Sequence, residues 1–157
     1  MRIKAILQAA VIASLLAQAG FAEGTSVSFG GIKADTSQPV ELTSDQLEIN
    51  QADGTAKFSG NVLVKQGQMK LAASEVYATY SASTHAIETI VASGKVTLVN
   101  AKDAAEADKA VYSIKTGEIE MTGNVLLTQG NAAISAQKMI IDLKSGTARM
   151  QGRVTTT

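Results

Sequence analysis

Side chains able to do acid–base, nucleophilic or metal chemistry are few in this sequence and poorly grouped. The one histidine, His85, ends the small polar stretch Ser81-Ala82-Ser83-Thr84-His85, which reads as a hairpin loop. A zinc site needs several nitrogen, sulfur or carboxylate ligands, and a triad base needs a nucleophile and an orienting acid. His85 has no second histidine, no cysteine and no carboxylate cluster near it, so it reads as a solvated loop residue. Asp45 and Asp108 stand 63 residues apart, an offset shared by other residues below, and this marks them as equivalent strand-start residues rather than a catalytic pair. Asp103, Glu106 and Asp108 are broken by alanines and flanked by Lys102 and Lys109. A calcium loop needs closer oxygen spacing and a glycine turn, so these acids predict a solvated face. No phosphate loop or dinucleotide fingerprint is present. The chemistry-bearing residues therefore predict a protein that is not an enzyme, with no cofactor and no metal.

The elements that position these side chains begin with an export signal. Arg2 and Lys4 precede an apolar run from Ala5 to Leu16, interrupted only by Gln8 and Ser14, and small residues follow. This predicts a signal peptide over 1–22, cut after Ala22, with Ala19 as the second choice. A run of about twelve residues is too short to cross a bilayer as a helix. Without Arg2 and Lys4, 12 basic residues face 14 acidic ones with the signs mixed, which leaves no electrostatic footprint for nucleic acid. Tryptophan is absent and there are three Phe and three Tyr, too few for base-stacking platforms. The lack of cysteine means that an exported form would draw its stability from sheet and core alone.

Residues 23–37 are small, polar and Gly-rich, and predict a flexible N-terminal arm. From Pro39 onward apolar residues recur at every second position, as in Val62 and Val64 or Val125 and Leu127. That is the period of strands, whose side chains point alternately to opposite faces. Asp53-Gly54, Thr116-Gly117 and Ser145-Gly146 supply the positive φ of tight hairpins between them. A helix has little support; Ala101 to Ala110 is Ala-rich enough for a turn or so, but its apolar face would bury little. Gly60-Asn61-Val62-Leu63 returns as Gly123-Asn124-Val125-Leu126, and the same offset of 63 relates Gln66-Gly67 to Gln129-Gly130. The chain therefore holds two copies of one unit. A finer Gly-x-Val period at Gly60, Gly94, Gly123 and Gly152 predicts strands that bulge or bend at glycine; the plainer alternative is that these glycines merely end strands.

The stretches Gln38-Pro39-Val40-Glu41-Leu42-Thr43-Ser44-Asp45-Gln46-Leu47 and Ala56-Lys57-Phe58-Ser59-Gly60-Asn61-Val62-Leu63-Val64-Lys65-Gln66-Gly67 resemble the LptA/OstA family of periplasmic lipopolysaccharide-transport proteins. The second copy keeps Gly-Asn-Val-Leu but has Met121 where the first has Phe58. The resemblance covers roughly 38–154 and implies an all-β fold, a slightly open antiparallel β-jellyroll of two facing sheets, V-shaped in section, forming a single domain over 38–157. It further implies that the acyl chains of lipid A lie between the sheets, and that copies stack end to end to link an inner-membrane component to an outer-membrane translocon. Ending soon after the last repeat, the chain is expected to be the free periplasmic component.

Combined with strand alternation, the resemblance makes the expected interior lining Val40, Leu42, Leu47, Ile49, Phe58, Val62, Val64, Val96, Leu98, Tyr112, Ile114, Met121 and Val125. The plainer reading of each is core. The closing stretch, Gly152 to Thr157, is a β-branched run with one charge and no proline, weakly blunted for an edge, and is expected to pair with the strand near Val40 of another copy. The expected partners are lipopolysaccharide, the two membrane assemblies and further copies of the chain, with no nucleic acid. A different class, a structural β-solenoid with a dry and sealed interior, satisfies the same strand pattern.

Overall fold

Alternation is what antiparallel strands require, and the computed structural model has eleven of them among its described residues, in one continuous sheet. The structure describes residues 25–28, as backbone, and 33–157. The predicted signal at 1–22 and its cleavage point lie outside the described residues. The strands are β1 (Thr25–Ser28), β2 (Val40–Thr43), β3 (Gln46–Asn50), β4 (Thr55–Gln66), β5 (Met69–Tyr80), β6 (Ile87–Asn100), β7 (Asp103–Ser113), β8 (Glu118–Gln129), β9 (Ala132–Asp142), β10 (Thr147–Gln151) and β11 (Thr155–Thr156). Their order is β1-β10-β9-β8-β7-β6-β5-β4-β2, with β3 joining β4 and β11 joining β9. The alanines of Ala101 to Ala110 form a turn and most of β7, not a helical turn. Ala105, Ala107 and Ala110 are buried in the sheet's interior, and that burial overrides alanine's helical preference.

The sheet folds into two facing layers because the long strands bend at the Gly-x-Val positions. Pairing between β4 and β5 shifts register between Ser59 and Val62, between β6 and β7 from Ser93 to Val96, and between β8 and β9 from Thr122 to Val125. At each bend a glycine near φ 80° is followed by a second positive-φ residue: Gly60-Asn61, Gly94-Lys95 and Gly123-Asn124, with Gly152-Arg153 repeating the device between β10 and β11. A Cβ on Gly123 would stand 2.5 Å from Asp108 Oδ2, and one on Gly60 2.7 Å from Asp45 Oδ2, so no other residue fits without displacement. Asn61 Nδ2 donates to Asp45 at 2.9 Å, and Asn124 Nδ2 to Asp108 at 3.0 Å. The two aspartates are thus equivalent, as the offset of 63 implies, but as corner residues: Asp108 lies in the middle of β7, not at a strand start.

Beyond the bends the strands of each layer end in different turns. One layer holds β3, the halves 55–59 and 118–122, and β10; the other holds β2, the halves 62–66 and 125–129, and β11. The second layer closes its hairpins with the two-residue turns Gly67-Gln68, Ala101-Lys102 and Gly130-Asn131, each opening at a φ of 53 to 58°. In the first layer Gly54, Gly117 and Gly146 are the last residues of four-residue loops. The expected glycine turns are therefore present but longer than two-residue hairpins. Asp142 shows why the loop after β9 is stable: its Oδ1 accepts from the backbone amides of Lys144 and Ser145, holding its carboxyl below the usual range.

Within the segment expected as an arm, Thr25–Ser28 pairs antiparallel with Thr147–Met150 of β10, and Asp35 to Gln38 form a hydrogen-bonded turn. A sheet edge offers unpaired backbone groups to any strand within reach.

Candidate functional site: the space between the layers

The inward row of each strand supplies an apolar floor or roof. Phe58, Val62 and Val64 on β4, Val96 and Leu98 on β6, Tyr112 on β7, and Met121 and Val125 on β8 are all buried, none more than 7 % exposed. Val40, Leu42 and Ile114 are half-buried and pack against the same cluster. The structure thus brings eleven of the thirteen expected lining residues into one core. Sequence alternation also has room for Val76, Ile90, Ala148 and Met150, which join them.

Leu47 and Ile49 differ. In the antiparallel register Leu47 stands opposite Phe58 and Ile49 opposite Ala56, so both share the inward face of β4. Yet they are 52 % and 67 % exposed. The apolar inner surface therefore continues past the covered core and meets solvent at the β3 end. At the opposite end, Ala148 and Met150 on β10 are buried.

The interior has a polar element that apolar alternation does not reveal. Gln66 ends the inward row of Val62 and Val64 and is 1 % exposed. Its Oε1 accepts from the Tyr112 hydroxyl at 2.5 Å. Gln66 lies in the second layer and Tyr112 in the first, so this bond crosses the space between them. Burial pushes the Tyr112 phenol up, offset in part by this bond, and keeps it a neutral donor. Gln66 Nε2 donates in turn to the Thr36 carbonyl at 3.2 Å and the Gln38 carbonyl at 2.9 Å. The available signal was an amide at an inward position of an apolar row, repeated at Gln129, whose Nε2 donates to Asp103.

The outer faces carry ordinary surface chemistry. Lys57 pairs with Glu75 and Lys138 with Glu120, both at 3.1 Å, and the Lys57 ammonium also lies 5.4 Å from the Tyr77 ring centre. His85, at φ 58°, sits exposed in the loop between β5 and β6. Among the described residues no group of three His, Cys, Asp or Glu is placed to hold a metal ion, and no helix is long and apolar enough to cross a membrane.

Comparison with known proteins adds to this geometry. The family described as LptA/(LptD N-terminal domain) LPS transport protein matches residues 41–147. An uncharacterized protein of Rhizobium meliloti is 33% identical over 121 residues, a match covering 72% of this chain and 65% of that protein. The lipopolysaccharide export system protein LptA of Escherichia coli K12 is 34% identical over 64 residues, 41% of this chain and 35% of that protein. The chain thus spans less than two thirds of these relatives' own length. Among solved structures, LptH, the LptA-homologous periplasmic component of the lipopolysaccharide transport device of Pseudomonas aeruginosa, superposes with a TM-score of 0.70 at 16% identity, covering 79% of this chain and 97% of that one. At that identity the likeness establishes the β-jellyroll fold.

Proposed function

Because the chain belongs to the LptA/(LptD N-terminal domain) family of LPS transport proteins, we propose that it is a periplasmic, non-catalytic carrier that shelters the acyl chains of lipid A between its two layers. The observation that carries this reading is the inward-facing yet solvent-exposed pair Leu47 and Ile49, continuous with the buried rows of Phe58, Val62 and Val64. A folded chain gains nothing from leaving two large aliphatic side chains wet on its inner face. A hydrocarbon ligand or a second copy would remove that exposed area from water. Each 100 Å² of apolar surface so covered contributes about 2.5 kcal/mol, with no specific polar contact needed.

In this reading the thirteen lining residues of the sequence analysis serve as the lipid surface. The open strand edges at β2 and β3, and at β11, pair head to tail with further copies and with the membrane assemblies at either end, so lipid moves from the inner-membrane to the outer-membrane side. Such pairing joins unlike edges and is open-ended, which gives filaments rather than rings. The 1–22 segment would deliver the protein to the periplasm as a cleaved signal.

The closed core favours one rival, a purely structural scaffold whose interior never admits a ligand, since the fully buried side chains of the two layers pack on each other. Mass spectrometry of protein purified gently from its native periplasm separates the two. Co-purifying lipopolysaccharide is expected; protein that is repeatedly lipid-free and takes up no added lipopolysaccharide would leave the scaffold. A photo-crosslinking residue at Leu47, Ile49 or Phe58 should label lipid, while the same probe at Glu48 or Lys57, on the outer face, should not.

A further inference from the structure

Residues 33–38 run along the flank where the hairpin tips of the two layers face each other, and they are bonded to both. On the first layer's side, the Ala34 amide donates to the Leu143 carbonyl at 3.0 Å, and Thr36 Cγ2 lies 3.4 Å from where a Cβ on Gly117 would stand. On the second layer's side, Gln66 Nε2 holds the carbonyls of Thr36 and Gln38, and Asn100 Nδ2 reaches the Lys33 carbonyl at 3.4 Å. The segment holds its own shape through Asp35. Its carboxylate accepts from the Ser37 amide at 3.0 Å, the Ser37 hydroxyl and Gln38 Nε2 at 3.1 Å, while the Gln38 amide donates to the Asp35 carbonyl at 3.2 Å.

The attachment is light. Lys33, Asp35, Ser37 and Gln38 are exposed, and the one apolar side chain the segment packs on the core is the Ala34 methyl. Backbone carbonyls held by side-chain amides return to water at little net cost. Behind the segment the inward rows are closed to water, from Val64 at 1 % to Leu98 at 0 % exposure, so acyl chains enter only if the layers part. The corner side cannot part, because there each strand from β4 to β9 runs unbroken from one layer to the other. The flank can.

We propose that residues 33–38 are a strap that gates the interior: lipid enters side-on by displacing this segment from Gln66, Asn100 and Leu143, and the strap re-seats when the interior empties. Side-on entry leaves the sugar headgroup in water while several chains pass together, which end-on entry at β3 does not. The inference rests on the carrier reading above.

The chain has no cysteine, so a Thr36→Cys, Gly117→Cys pair has one possible disulfide, across the strap's contact with the first layer. Uptake of purified lipopolysaccharide by this variant, oxidised and reduced, is the test. Uptake that scales with the opened fraction should be at least about tenfold slower in the oxidised form. Equal uptake in both forms overturns the strap and leaves the carrier standing. If neither the reduced variant nor the unsubstituted protein binds, the carrier reading falls, and the gate with it. Because residue 117 lies at positive φ, where cysteine is strained, a second variant decides independently. Asp35→Ala removes the exposed carboxylate that shapes the strap and should speed uptake about fivefold, with lipid lowering the hydrogen-exchange protection of the Ala34 amide. Unchanged uptake together with unchanged Ala34 protection sinks the proposal.

Discussion

The two long margins of this jellyroll are built by different means. Along the corner margin the chain itself joins the layers in every strand from β4 to β9 and in the β2–β3 and β10–β11 links, and four of these crossings turn at a glycine followed by a second positive-φ residue: Gly60-Asn61, Gly94-Lys95, Gly123-Asn124 and Gly152-Arg153. Each glycine packs against a polar side chain of the neighbouring strand: Asp45, Ser74, Asp108 and Gln137 in turn. Among the described residues no strand crosses along the opposite margin; the Tyr112–Gln66 bond and the strap of residues 33–38 span the gap. The first margin fails only if sheet ladders break, whereas the second fails when a few hydrogen bonds exchange with water. Compliance is therefore one-sided, and the proposed gate uses the one flank held only by such bonds.

The largest expected effect is at the corner. Gly123→Val places a β-branched residue at φ 80° with a Cβ 2.5 Å from Asp108 Oδ2. Left-handed backbone and overpacking together should cost about 3 kcal/mol or more, read as a lower urea midpoint at unchanged slope. Gly130→Ala is its control, since Gly130 also has positive φ but meets nothing within 4 Å of the added methyl. That variant should lose only about 1 kcal/mol. Equal losses would mean that φ alone matters and that the corner's side-chain packing does not.

At the flank the expected loss is intermediate. Gln66→Leu keeps the size of a buried side chain but leaves the Tyr112 hydroxyl and the carbonyls of Thr36 and Gln38 without their partner. The orphaned hydroxyl accounts for most of a loss of about 2 kcal/mol, because the strap carbonyls can turn to water. Lipid uptake should become faster in the same variant. A corner variant such as Asp45→Ala, which removes the acceptor for Asn61, should lose stability with no change in uptake rate. If both variants changed uptake alike, the flank would have no special role.

Much of the first margin was legible in the sequence and little of the second. A glycine preceding an inward valine is a local signal, and its recurrence exposed the corners directly. Inward parity, read from period-two alternation, placed Phe58, Val62, Met121 and Val125 on the face where the structure buries them. The flank depends on contacts distant in sequence: Tyr112 meets Gln66 across 46 residues and Asn100 meets Lys33 across 67. No local pattern encodes such pairs, so a polar, Gly-rich leader read as an arm carries both an edge strand and the strap. Exposure at Leu47 and Ile49 was hidden for the same reason. Parity gives the face a side chain points to, and only the three-dimensional edge determines whether that face is covered.

The smallest expected effect concerns pH at the flank. Asp35 titrates below the usual carboxylate range, chiefly because the Ser37 hydroxyl and then Gln38 Nε2 bond its ionised form. A carboxyl lowered in the folded state adds stability above its ordinary pKa of about 3.9 and loses it as pH falls through the lowered value. The strap should therefore be fully seated near neutral pH and loosen only in strong acid. Asp142, across the flank, is lowered by the Ser145 amide first and titrates in the same direction, with the Lys144 charge beside it favouring the ionised form. Hydrogen-exchange protection of the Ala34 amide, corrected for the intrinsic rate, should fall with acid in the unsubstituted protein. It should fall less in Asp35→Asn and in Asp142→Asn, and least in the double variant. Both carboxylates are exposed, so the change is small and confined to the flank; protection of a corner amide on a residue that does not titrate, such as Gln137, which donates to the Gly152 carbonyl, should stay constant over the same range. A parallel fall at Gln137 would mean that acid loosens the whole sheet, and that the two margins are not independent.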